Sequence, residues 1–127
     1  MKTLLCSVAL VALMMAAPAQ AADLTELHSF DGIAWDGGKA ATVSHLAPIA
    51  GLHFAPDGRA FVSVPRWISA DVSATLNLLV DDGSGVARLT PFPELVAQSL
   101  TASPADSLRN VLGFHVDTTN GWLWALD

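Results

Sequence analysis

Two Asx-Gly pairs, Asp57-Gly58 and Asn120-Gly121, each lie between short apolar runs, and they constrain the fold more than any other feature. Glycine takes positive φ at little cost, so an Asx-Gly pair flanked by alternating apolar residues is a strong hairpin signal. The first hairpin is expected to run from Ile49 to Phe54, turn through Ala55-Pro56-Asp57-Gly58, and return over Ala60–Val64. In the returning strand, Phe61 and Ser63 would face one side and Val62 and Val64 the other. Pro65, which has no N–H to give, ends the ladder. A second hairpin is read over Ala74–Val80 and Val86–Thr90, joined by the Gly-rich loop Asp81-Asp82-Gly83-Ser84-Gly85. Pro91-Phe92-Pro93 then breaks the pattern, a short helix is expected over Glu94–Leu100, and Thr101–Ser107 read as an exposed loop.

The last segment repeats the first. Val111–Asp117 forms a strand, Thr118-Thr119-Asn120-Gly121 a turn, and Trp122–Asp127 a return, placing Gly121 63 positions after Gly58. Each copy reads as a strand, an acidic turn, a glycine and a strand with an aromatic residue, Phe61 in one and Trp124 in the other. A repeat at this spacing points to a radial β array. The fold class read from the chain is all-β, as a partial β-propeller holding the first blade and the start of the second.

The N-terminus has the three parts of an export signal: Lys2, an apolar stretch from Leu4 to Ala17, and small residues at Ala19 and Ala21 around Gln20. The apolar stretch is shorter than the ~20 residues of a membrane-spanning helix. Residues 1–21 therefore read as a cleaved signal peptide, and residues 22–127 as a secreted or periplasmic product. The one cysteine, Cys6, leaves with the leader, so disulfides and thiolate metal sites are excluded from the mature chain. Removing Lys2 leaves five basic residues against twelve acidic ones. That acidity argues against nucleic acid or an anionic membrane as a partner.

Four stretches resemble the Yellow and major royal jelly protein family, in its bacterial branch. Ala60–Trp67, AFVSVPRW, is similar to the family's FVTVPRW signature. Val72–Leu76, VSATL, resembles the segment GVPATL that follows it, with Asp71 and Ser73 in place of the family's Gly and Pro. Leu89–Pro93, LTPFP, resembles L.PYP, and Val111–Asp127 matches a strand, an Asp, a turn and LWVLD. The resemblance implies a secreted six-bladed β-propeller, related in shape to lactonase-type propellers, of which residues 22–127 would be the N-terminal portion. Insect members include melanin-pathway proteins, and some relatives bind biogenic amines. The residues of that amine pocket fall in later blades, so none is carried onto this chain.

No catalytic motif stands out. The serines lack a nucleophile-elbow context, and His28, His45, His53 and His115 have no metal-ligand spacing. His53 and His115 occupy matching first strands of the repeated hairpins; they either point toward a central channel or are ordinary strand histidines satisfied by backbone or solvent. Arg66 and Trp67 form a guanidinium–indole pair at a strand end. Such a pair stacks on an aromatic ligand or grips a carboxylate, unless Arg66 ties neighbouring blades and Trp67 fills the gap between them. Asp57 and Asp117 stand where turns need Asx hydrogen bonds. The expected ligand-binding candidates are thus Arg66, Trp67, His53 and His115, with no metal ligand and no cofactor assigned. The expected function is small-molecule binding at the axial face; the alternatives are a metal-dependent, lactonase-like hydrolase and a purely structural or interaction module.

Overall fold

The computed structural model describes residues 25–35 and 48–127. The expected signal peptide over residues 1–21 and His45 lie outside the described residues. Within them the chain is all-β. A five-stranded sheet has the order β1-β5-β4-β3-β2, built from β1 (Gly32–Trp35), β2 (Gly51–Phe54), β3 (Ala60–Ser63), β4 (Leu76–Asp81) and β5 (Val86–Pro91). A second sheet pairs β6 (Gly113–Asp117) with β7 (Trp122–Leu126).

Strands β2 to β5 form an antiparallel meander, and β1 adds to its far edge in parallel, Gly32 opposite Val86 and Trp35 opposite Leu89. Strand β1 carries no turn signal and was not foreseen. It becomes a strand because β5 offers it a free edge; Asp31 N–H continues the pairing onto Gly85 O at 2.8 Å. Pro91, expected to break the pattern, closes β5 instead. The ladder continues one residue beyond it, where Phe92 N–H reaches Leu76 O at 3.0 Å.

Both Asx-Gly turns form as the sequence requires. Gly58 and Gly121 have φ of 87° and 72°, a region that costs a residue with a Cβ about 1–2 kcal/mol. The preceding aspartates tie each turn: Asp57 accepts from Arg59 N–H at 3.0 Å, and Asp117 from Thr119 and Asn120 N–H at 3.0 and 3.1 Å.

Alternation along β3 divides the core into two. Val62 and Val64 join Trp35, Val72 and Leu89 on one face of the large sheet. Phe61 faces the other way, packing with Ala55, Val116, Phe114, Leu123 and Phe92 between the two sheets. The sheets approach closely because Gly51 has no side chain: a Cβ there would lie 3.2 Å from the Phe114 ring. Ser63 Oγ completes the junction by donating to Leu112 O at 3.1 Å.

The helix expected over Glu94–Leu100 shortens to one 3-10 turn, Val96–Gln98, and a second such turn, Pro104–Asp106, lies within the expected loop. The apolar side chains that suggested a helical face, Leu95, Val96 and Leu100, are exposed, whereas Gln98 is 1% exposed. Its side-chain oxygen accepts from Thr75 and Leu76 N–H at 2.7 and 2.9 Å, and its Nε2 donates to Leu76 O and Phe92 O at 2.7 and 3.0 Å. A buried amide substitutes here for a strand neighbour at the end of β4. Buried peptide groups left unpaired cost about 1–3 kcal/mol each, so these bonds outweigh the weak helical periodicity of the segment.

Candidate functional site

The first strands of the repeated hairpins, β2 and β6, lie beside each other where the two sheets meet. That adjacency brings His53 and His115 together, with ring centroids 5.1 Å apart and planes at 72°, an edge-to-face contact. Phe114 flanks His53 at 6.3 Å. His115 is exposed and His53 half-buried. Among the described residues neither imidazole makes a hydrogen bond, so their polar atoms remain open to water or to a ligand.

At the turn ends of the same strands is a cleft of about 600 Å³. Phe61, Phe92, Val116 and Leu123 line its apolar part, while Asp57, Arg59, Asp117 and Trp122 line its rim. The size falls within the range of small-ligand pockets. Arg59 Nε donates to Asp57 at 2.7 Å, and its guanidinium lies 5.4 Å from the Phe61 ring centre. Backbone and side-chain N–H groups of Arg59 hold the Asp57 carboxyl below the usual carboxylate range, and the Asn120 side chain does the same for Asp117. Both carboxylates are therefore ionised at neutral pH. Sequence reasoning placed Asp57 and Asp117 in turns but missed this cleft. Its walls, Phe61, Phe92 and Leu123, come from separate strands, and only the docking of the two sheets makes them neighbours.

Arg66 and Trp67 are not part of either feature. Strand β3 ends at Ser63, and Arg66 turns inward. Its guanidinium donates to the carbonyls of Val72 (3.0 Å), Arg109 (2.6 Å), Ser73 (3.2 Å) and Gln98 (3.1 Å). Its own N–H donates to Asn110 Oδ1 at 2.6 Å. Burial lowers the guanidinium pKa from its usual value; Arg109 adds to the effect and Asp127 opposes it. The planar, multidentate fork of arginine suits such a clamp. It binds the loop after β3 to the segments preceding β4 and β6. Trp67, in contrast, is 56% exposed. Of the four candidates, the structure thus brings His53 and His115 together and sets Arg66 and Trp67 apart from them.

His28 lies elsewhere, stacked on Phe30 and bonded through Nδ1 to Asp81 at 2.9 Å. No group of three or more His, Cys, Asp or Glu side chains forms a ready metal cage among the described residues. Among those residues no helix is long and apolar enough to cross a membrane. Comparison of the chain with protein-family models, with curated proteins and with solved structures finds no significant match.

Proposed function

We propose that the chain is the exported N-terminal portion of a β-propeller resembling the Yellow and major royal jelly family, and that it binds a small molecule on the face lined by β2 and β6. The observation that carries this reading is the side-by-side placement of the two hairpins' first strands, with His53 and His115 in contact. A propeller blade is a four-stranded antiparallel meander whose innermost strand lines a central channel. The run β2–β5 is a four-stranded antiparallel meander, and the hairpin β6–β7 packs against β2. On the propeller reading, β2 and β6 are the innermost strands and the two imidazoles are polar groups on the axial side.

Calorimetric titration of the exported protein with a panel of small organic ligands, aromatic amines included and with a chelator present, tests the binding role. Saturable heat that falls at least tenfold in affinity in His115→Ala is the expected result; a panel without heat overturns it. N-terminal sequencing of the exported product tests the compartment, with Ala22 expected as the first residue.

A further inference from the structure

We infer that His53 and His115 form a two-imidazole site for a divalent transition-metal ion of zinc type. The inference deepens the axial-site reading by naming a ligand for the same two side chains, and it rests on that site. The distance between the rings carries it. Zinc–imidazole bonds are about 2.0–2.1 Å long, and a ring centroid lies about 1.1 Å behind its nitrogen; two imidazoles on one tetrahedral ion therefore have centroids about 5 Å apart. The observed separation is 5.1 Å.

Two further features favour an ion at this place. Neither ring has a hydrogen bond to lose among the described residues, and the χ2 torsion that aims an imidazole is broad. His115 is exposed, which leaves the remaining coordination positions to water or to a bound molecule, as in zinc sites that keep an open position. Asp117, two residues from His115, is not a ligand, because Asn120 and the turn N–H groups already hold its carboxyl. Imidazole nitrogen is a donor that suits zinc, copper and nickel over calcium or magnesium. The pair is invisible as a metal motif in the sequence because its members lie on strands of different hairpins.

Zinc competition against a chromogenic chelator, run on the whole exported chain, tests the site. Uptake of one equivalent is expected, with affinity lower by at least tenfold in both His53→Gln and His115→Gln. The double variant should be no weaker than the singles, because removing either ring destroys the chelate. His28→Gln and His45→Gln should bind as the unsubstituted chain does. Absence of saturable uptake, uptake indifferent to His53 and His115, or a loss confined to one of them would overturn the inference. Zinc-induced shifts of both imidazole signals in the unsubstituted chain give a reading that does not depend on any variant folding. Zinc uptake with a silent organic panel would end the proposed function alone; ligand binding in chelator without zinc uptake would end this inference alone.

Discussion

The hairpins β2–β3 and β6–β7 share a local code and differ in burial. Each has an aspartate that caps its turn, a glycine at positive φ and an aromatic residue in the returning strand. Yet every residue of β3 is buried, whereas Trp122, Trp124 and Leu126 of β7 are all more than half exposed. The difference lies in their neighbours. Strand β3 is central, paired with β2 and β4 and covered on both faces by the two core clusters; β7 pairs with β6 alone. Hairpin formation is thus a local matter, and stability comes from what packs on the hairpin afterwards.

The largest expected effect breaks that symmetry directly. Phe61, 3% exposed and edge-to-face with Phe92 at 4.9 Å, fills the space between the sheets. Phe61→Ala should cost about 3–5 kcal/mol, as truncations of buried aromatics do. Trp124→Ala, at the matching place in β7, should change stability by no more than about 0.5 kcal/mol. Denaturant unfolding of the two variants checks both values. A large loss at Trp124 would mean that the outer face of β7 is covered in solution.

An intermediate effect concerns the turns. Gly58→Ala and Gly121→Ala impose the same strain, about 1–2 kcal/mol, because both positions have positive φ. Where that strain is felt should differ. Gly58→Ala should lower the global unfolding free energy, whereas Gly121→Ala should mainly speed hydrogen exchange of β6–β7 amides through local opening. Equal losses of global stability would show that the two hairpins melt as one unit.

The smallest effect is a pH dependence. The Asp57 and Asp117 carboxyls are held below the ordinary carboxylate range when folded, the first by Arg59 N–H groups and the second chiefly by the Asn120 side chain. An unfolded aspartate takes up its proton near pH 3.9. The folded carboxyls take theirs up at lower pH, so their contribution is complete above about pH 4 and declines as pH falls through the folded values. Thermal midpoints should accordingly be flat from about pH 7 to 5 and drop below about pH 4. Both carboxylates are exposed, so the drop assigned to each is small. Added salt should weaken the Asp57 contribution more than that of Asp117, because Asp57 is bonded to the charged Arg59 side chain, whereas the hydrogen-bond partners of Asp117 are neutral and the coulombic effect of His115 is the smallest of its causes. Melting curves of Asp57→Asn and Asp117→Asn across pH, at low and high salt, test the contrast.

Much of the fold was legible because hairpins are encoded by neighbours in sequence. Turn chemistry located Gly58 and Gly121, and alternation assigned the opposite faces of Phe61 and Val62. Strand β1 was not legible, since a parallel edge strand carries no turn of its own and depends on a partner far along the chain. Gln98 was hidden for a related reason: a polar residue in an apolar segment looks exposed until the Thr75 and Leu76 N–H groups and the Phe92 carbonyl that it pairs are found around it. The candidate site divides the same way. Matching first strands of the repeated hairpins selected His53 and His115, but Arg66 was legible only as a choice between gripping a ligand and tying segments together.

The amino-acid sequence by itself determined where the hairpins turn, which face of each strand is apolar, and that the portion after residue 21 has no cysteine with which to brace them. These follow from φ preferences, from the two-residue period of a strand and from composition, none of which needs a distant partner. Tertiary structure alone decided that Gly51 lets Phe114 approach, that His53 meets His115, and that the Arg66 guanidinium is committed to four carbonyls. Each joins residues far apart in the chain, and their proximity is set by how the two sheets and the loops between them pack.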